Sequence, residues 1–147
     1  IFIWGADYFA EILPNKNDGS WVVWDKRMEG GMDKMFGSSF ELCWSKSKHK
    51  REIARVLWAG YFGMSKDDIK VRVHPTQKPI ALASFFFKKW GKEKDLIVDI
   101  YLGSGSTLIA CEKTGRICYG MELDPKYCDV IIKRWEDYTG NKAEKVV

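Results

Sequence analysis

The sequence lacks the features of a membrane span and of a secretion signal. Among its 147 residues, no apolar run approaches the roughly 18 residues that cross a bilayer. The opening residues, Ile1 to Gly5, carry neither a basic segment nor a small-residue cleavage site. They also lack a methionine and are typical of a buried strand, so we expect the chain to be the remainder of a longer one.

Cysteine and histidine are scarce, and their spacing does not favour a metal site. The chain has 4 cysteines and 2 histidines, with no Cys-x-x-Cys pair and no histidine near a cysteine. We therefore predict no metal and reduced thiols, as in a cytoplasmic protein. Basic residues exceed acidic ones by only 24 to 20, which permits a polyanionic partner without requiring one.

Apolar and aromatic residues are abundant enough to exclude disorder. They make up 46% and 14% of the sequence, and the length suits one globular domain over residues 1–147. In the second half, patterns predict helices over 80–90, 107–114 and 125–138, the last capped by Asp124, and strands over 96–99 and 117–122. Strands that alternate with helices predict an α/β fold with a mostly parallel sheet and helices on both faces.

The first half is less regular. Strands are predicted over 1–4, 21–24 and 39–45, and a short helix over 7–13. Residues 53–61 suit either a strand or a helical turn. A loop is expected over 28–37 and a polar linker over 65–73.

A glycine loop joins the predicted strand 96–99 to the following helix. Gly103 and Gly105 permit a tight turn and a close backbone approach to a ligand, and the helix start favours an anionic group. Glu122 ends the next strand, where an acid can accept hydrogen bonds from both ribose hydroxyls. The pattern predicts a nucleoside-containing ligand at the carboxyl edge of the sheet, whereas the alternative is a simple turn.

The residues around this loop favour S-adenosylmethionine over a dinucleotide. Asp99 would repel a pyrophosphate, and Leu108 stands where a dinucleotide-binding loop prefers glycine. S-adenosylmethionine combines a ribose with a cationic sulfonium and an amino-acid end. Tyr101 could present its ring face to that sulfonium. The same two residues, Asp99 and Leu108, disfavour a nicotinamide-dependent oxidoreductase.

Three motifs follow one another along the chain, with Trp4 to Phe9 and Trp21 to Arg27 upstream. They are His74-Pro75-Thr76-Gln77-Lys78-Pro79, the segment from Asp99 to Thr107, and the segment from Met121 to Tyr127. In this order they resemble the DNA amino-methyltransferases of the β-type motif order. The resemblance covers nearly the whole chain, and the opening segments are also similar to phage and prophage members, some with a ParB-like domain. It implies an N-terminally truncated, Rossmann-like S-adenosylmethionine-dependent methyltransferase fold, with a target-side portion over 1–73 and a cofactor-binding portion over 74–147.

The resemblance implies a set of cofactor-binding residues. It assigns Glu122 to the ribose, and the segment beginning at His74 to the amino-acid end. Thr76 could instead cap the following helix, and His74 could be only the polar end of the linker. The full set is His74, Thr76, Gln77, Lys78, Asp99, Tyr101, Gly103, Ser104, Gly105, Ser106, Thr107 and Glu122.

The resemblance also implies a double-stranded DNA partner, held by basic side chains on its phosphates. The alternative for the cluster over 46–51 is a solvated loop. The candidate DNA-binding residues are Lys26, Arg27, Lys46, Lys48, Lys50 and Arg51.

The implied function is methyl transfer to an exocyclic amino nitrogen, with adenine N6 favoured over cytosine N4, in a bacterial or phage-encoded restriction-modification setting. The family's catalytic tetrapeptide, Asp/Asn/Ser-Pro-Pro-Tyr/Trp, is absent from the sequence. We therefore assign no catalytic residue, expect the chain to begin downstream of that motif, and expect it to transfer no methyl groups alone. The alternative is a non-catalytic module that binds S-adenosylmethionine or DNA.

Overall fold

The computed structural model describes residues 1–14, 17–27, 37–58 and 73–146. The chain forms two compact units, residues 1–62 and 63–147. The sequence-based division between residues 73 and 74 therefore lies inside the second unit. The predicted loop over 28–37 and linker over 65–73 lie outside the described residues, apart from their last positions.

The first unit is a four-stranded mixed sheet with a short helix beside it. Strand β3 lies between β1 and β2 and is antiparallel to both, while β4 lies parallel to β2 at the edge. The prediction of a mostly parallel sheet is wrong here, because the long-range pairing places β3 between two earlier strands. The ambiguous segment after residue 52 begins as a strand. The elements are β1 (Phe2–Trp4), a 3-10 helix (Ala6–Ile12), β2 (Ser20–Asp25), β3 (Phe40–Ser45) and β4 (Glu52–Arg55).

Alternate residues of β2 form the core of the first unit. Val22 and Trp24 are buried, as expected for side chains two residues apart on one face of a strand. The indole N–H of Trp24 donates to the carbonyl oxygen of Val56 at 2.8 Å, so this large side chain is buried with its donor satisfied.

The second unit follows the predicted alternation of helices and strands. Strands β5 and β6 are parallel, with Asp99 beside Gly120 in register. At the start of α3, Asp124 accepts the backbone N–H of Lys126 at 2.9 Å and Pro125 takes the first turn, which confirms the predicted cap. The elements are α1 (Ile80–Trp90), β5 (Leu96–Asp99), α2 (Ser106–Lys113), β6 (Ile117–Gly120) and α3 (Pro125–Thr139).

Helix α1 begins later than a cap at Thr76 would require, so that alternative is wrong. Pro79 precedes the first helical residue, and a proline disfavours helical backbone in the residue before it, here Lys78. The helix therefore starts at Ile80. Thr76 instead donates its backbone N–H to Nδ1 of His74 at 3.2 Å.

The three helices of the second unit share one core on one face of the β5–β6 pair. Ile80 of α1 and Ile109 of α2 are buried there, and Ile97, Cys118 and Trp135 pack against the same cluster. The opposite face of the two strands exposes Leu96, Val98, Ile117 and Tyr119. In the part of this unit that the structure describes, the three helices therefore cover one face of the β5–β6 pair.

All four cysteines are free thiols. The Cys118 side chain hydrogen-bonds that of Cys111, and together with burial this raises the pKa of the Cys111 thiol. Across the described ranges, no three histidine, cysteine or acidic side chains lie close enough to hold a metal ion. Nor does any described helix combine the length and apolar character needed to cross a membrane.

Candidate functional site

The segments that follow β5 and β6 are joined to each other by backbone hydrogen bonds. The backbone N–H of Met121 donates to the carbonyl oxygen of Asp99 at 2.8 Å, and that of Leu102 donates to the carbonyl oxygen of Met121 at 2.9 Å. The glycine loop therefore runs beside the residues that follow β6. Two motifs that the sequence separates by about twenty residues meet at one edge of the sheet.

The two loop glycines adopt backbone angles that favour glycine. Gly103 has φ of 56° and Gly105 has φ of 79°, both in the left-handed region. Gly105 also lies close to α3, because a Cβ atom there would stand 3.3 Å from Cγ2 of Ile131. The loop thus turns tightly into α2 while resting against α3.

Glu122 binds the glycine loop directly. Its Oε2 accepts the backbone N–H of Gly103 at 2.8 Å, and its Oε1 accepts that of Asp124 at 3.0 Å. The N–H of Asp124 contributes most to lowering the pKa of this carboxyl group, and the N–H groups of Gly103 and Leu123 and nearby His74 add to it. A carboxylate has about four acceptor positions, so Glu122 can hold the loop and still accept from a ligand.

Asp99 and Tyr101 stand at the entrance to the loop. Asp99 is half-buried at the end of β5, and its Oδ1 accepts the backbone N–H of Tyr101 at 3.0 Å. The side chain of Tyr101 is exposed. Asp99 and Glu122 thus place two carboxylates beside one loop, which favours a cationic ligand and opposes a pyrophosphate.

His74 lies between the glycine loop and α3. Its ring packs edge-on against Tyr127, with ring centres 4.3 Å apart, and a Cβ atom on Gly103 would stand 3.5 Å from the His74 ring. The structure therefore places the His74 ring beside the glycine loop.

Gln77 and Lys78 follow His74 along the same edge. The carbonyl oxygen of Lys78 accepts the hydroxyl of Ser106 at 2.6 Å, which fixes this segment beside the start of α2. Gln77 is only 5% exposed, and its Oε1 accepts the backbone N–H of Val73 at 3.1 Å. The amide nitrogen of Gln77 is buried without a hydrogen-bond partner in the described structure.

Sequence reasoning missed Arg134, which is buried beneath the glycine loop. Its Nη1 donates to the carbonyl oxygen of Ser104 at 2.9 Å and contacts the hydroxyls of Ser104 and Ser106 at 3.2 and 3.1 Å. The two serines, predicted to bind cofactor, are themselves buried. Arg134 follows buried Ile131 by three residues, a spacing that places both side chains on one face of the helix. That spacing was the sequence signal that could have indicated the burial of Arg134.

The six predicted DNA-contacting side chains differ in their exposure. Arg27 is only 4% exposed and donates to the carbonyl oxygen of Gly37 at 2.7 Å, so its guanidinium is buried against the protein's own backbone. Lys26 is largely covered and pairs with Glu41 at 2.6 Å. The four remaining candidates, Lys46, Lys48, Lys50 and Arg51, are exposed.

We predict that Glu122 makes stability depend on acid pH. Because its native pKa is lowered, the stabilisation is complete above the unfolded-state pKa of about 4.3 and is lost as the pH falls through the lower native value. The Glu122→Gln variant should therefore lose less stability than the wild type between about pH 5 and pH 3. Denaturant unfolding of both proteins across this range measures the difference. The control Glu93→Gln alters an exposed acid, and its free energy of unfolding should depend on pH as that of the wild type does. Equal pH dependence of the free energy of unfolding in Glu122→Gln and the wild type would contradict the prediction.

Comparisons with solved structures identify the fold. The chain is similar to M1.HpyAVI in its complex with SAM, with a TM-score of 0.62 at 21% identity over 91% of this chain and 72% of that one. It is also similar to the PvuII DNA methyltransferase, described as cytosine-N4-specific, with a TM-score of 0.57 at 19% identity over 79% of this chain and 50% of that one. These likenesses confirm the predicted α/β, Rossmann-like methyltransferase fold.

Sequence comparisons identify the family. The orphan methyltransferase M.BamHII of Bacillus amyloliquefaciens is 32% identical, and the match covers 94% of this chain but 52% of that protein. The chain thus spans about half the length of this relative. A family model described as DNA methylase matches residues 14–134. The chain therefore belongs to the DNA methylase family whose members include N6 and N4 methyltransferases.

Proposed function

We propose that this chain forms the cofactor-binding part of an S-adenosylmethionine-dependent DNA methyltransferase that acts on an exocyclic amino nitrogen. The observation that carries the proposal is the hydrogen bond from Gly103 to Glu122, which holds a glycine loop beside Asp99 in a member of the DNA methylase family. Since the chain spans about half of M.BamHII, methyl transfer is proposed for the whole protein.

The residues at the loop fit S-adenosylmethionine. Glu122 can accept from a ribose hydroxyl, because its present partners are backbone donors and acceptor capacity remains. Asp99 supplies a second negative charge, which stabilises a nearby cationic group. The structural neighbour M1.HpyAVI, which shares this fold, was solved with SAM.

The amino-acid end of the cofactor fits the segment that follows His74. The buried amide nitrogen of Gln77 is a donor without a partner in the described residues, and a ligand carboxylate would satisfy it. The N–H groups at the start of α2 lie beside this segment and also favour an anion. Lys78 adds a positive charge on the same segment.

Bound S-adenosylmethionine would supply a methyl group on a sulfonium, and the amine of a target base would accept it by direct in-line transfer. The described residues contribute binding and orientation. Sequence resemblance favours adenine N6 as the acceptor, and cytosine N4 is the alternative, since the PvuII enzyme with the same fold is described as cytosine-N4-specific.

The exposed basic cluster over 46–51 is our proposed phosphate-contacting surface. Lys46, Lys48, Lys50 and Arg51 bring four positive charges within six residues of the first unit. Such contacts position a protein on DNA without reading its sequence.

We predict that the chain binds S-adenosylmethionine and that Asp99→Asn weakens this binding. The substitution keeps an oxygen for the Tyr101 N–H but removes the charge, which should cost about 10- to 100-fold in Kd. Isothermal calorimetry of both proteins measures the effect, with NAD as a comparison ligand and Glu93→Gln as a charge-matched control. Absence of binding by the wild type would contradict the proposed function, and unchanged affinity in Asp99→Asn would contradict the role of Asp99.

We predict that the basic cluster contributes to DNA affinity through counterion release. Changing Lys48 and Lys50 together to Gln should weaken binding to unrelated duplexes equally and lower the salt dependence of log K by about 0.9 for each phosphate that is no longer neutralised. Fluorescence anisotropy across a salt series measures this slope. The same change at Lys92 and Lys145, which lie on the second unit, is the control, and an equal decrease in affinity in both double variants would refute the assignment.

We predict that the whole protein carrying this chain produces N6-methyladenine in duplex DNA. Nuclease digestion of modified DNA followed by mass analysis of the nucleosides identifies the product. N4-methylcytosine would replace the adenine assignment with its alternative. Methylation of a ring carbon, or no methylated nucleoside at all, would contradict the proposal.

A further inference from the structure

Arg134 places a positive charge in the interior of the second unit, next to Ser104 and Ser106. Its side chain is 8% exposed, and its Nη1 reaches three oxygen atoms of Ser104 and Ser106. Burial of a guanidinium is costly unless hydrogen bonds and opposite charge or dipoles compensate for lost water. The three contacts with Ser104 and Ser106 supply such hydrogen bonds, and they lie at the glycine loop.

The hydrogen bonds of Arg134 link two segments of the candidate site, directly at Ser104 and Ser106 and through Ser106 at Lys78. The hydroxyl of Ser106 contacts the guanidinium and donates onward to the carbonyl oxygen of Lys78. Ser104 follows Gly103, whose N–H is bound by Glu122. One side chain on α3 thus connects the glycine loop with the segment that precedes α1.

The loop residue between these serines is held by α3 as well. Gly105 has φ of 79°, and a Cβ atom on it would lie 3.3 Å from Ile131, one helical turn before Arg134. Helix α3 therefore supports the loop by apolar contact at Gly105 and by hydrogen bonds at its two neighbours. These contacts restrict the directions in which the loop's backbone N–H groups point.

We propose that Arg134 is a positioning residue for cofactor binding, which holds the glycine loop in the conformation that presents its N–H groups to the ligand. The inference rests on the proposed function, because it takes S-adenosylmethionine as that ligand. Arg134 acts through Ser104 and Ser106 and is not assigned a contact with the cofactor. Small misplacements of such binding groups are costly, so its removal should weaken binding by about 10- to 100-fold.

The variants separate positioning from general stability. Arg134→Met keeps the bulk of the side chain and removes its charge and donors. Arg134→Lys keeps a charge and three donors on a different head group, so it should recover part of the affinity. Trp135→Phe is the matched control, since it removes the 2.9 Å hydrogen bond from Trp135 to Glu112, which also links α3 to α2 but does so away from the loop.

Two measurements on the whole chain test the proposal. Calorimetry gives the Kd for S-adenosylmethionine, and amide hydrogen exchange of residues 102–107 without ligand reports loop order. We expect Arg134→Met to bind about 10- to 100-fold more weakly and to exchange faster in the loop, Arg134→Lys to lie between it and the wild type, and Trp135→Phe to match the wild type in both. Folded Arg134→Met with wild-type affinity would overturn the proposal, as would equal weakening in Trp135→Phe.

Failure of the proposed function gives a different result. If the wild type binds no S-adenosylmethionine, that function fails, while loop exchange in the variants still tests whether Arg134 orders the loop. If Arg134→Met does not fold, Arg134→Lys and Ser106→Ala decide the matter. Both should weaken binding relative to Trp135→Phe, and wild-type affinity in both would overturn the proposal.

Discussion

The hydrogen bond between the Gly103 backbone and the Glu122 carboxylate is the interaction on which the site depends. At 2.8 Å it joins the glycine loop after β5 to the chain after β6. A carboxylate that accepts backbone N–H groups is stabilised in its charged form, and the pKa of Glu122 is lowered accordingly. The interaction therefore fixes the loop and keeps a negative charge beside it.

Opposite charges hold the loop from two sides. Glu122 accepts the N–H of Gly103, and Arg134 donates to the carbonyl oxygen of the next residue, Ser104. Two consecutive residues of the loop are thus bound, Gly103 by an anion at its N–H and Ser104 by a cation at its carbonyl oxygen. Such an arrangement defines one loop conformation, and a preorganised loop lowers the entropic cost of binding a ligand.

The sequence predicted the elements whose signals are local. Helix α1 and strand β5 occupy the predicted residues. They were predictable because an apolar run and the glycine turn that follows it are recognised from neighbouring positions in the sequence. The helix cap at Asp124 was predictable because this acid directly precedes Pro125, a residue favoured in the first turn of a helix. The glycine loop and Glu122 were also predicted, since their spacing reflects one strand–helix–strand unit.

Features that depend on distant partners were not predictable in this way. The position of β3 between β1 and β2 depends on long-range pairing. Arg27 is of a residue type that commonly contacts phosphate, yet tertiary packing buries it. Arg134 meets its partners 28 and 30 positions away, so these hydrogen bonds depend on the fold.

The exchange rate of the Gly103 amide proton tests the central claim most directly. NMR of the native chain near neutral pH should show this amide to be protected, and Glu122→Gln should accelerate its exchange while amides in the middle of α1 keep their protection. A Gly103 amide that exchanges in the native protein at the rate of an unstructured peptide would contradict the account.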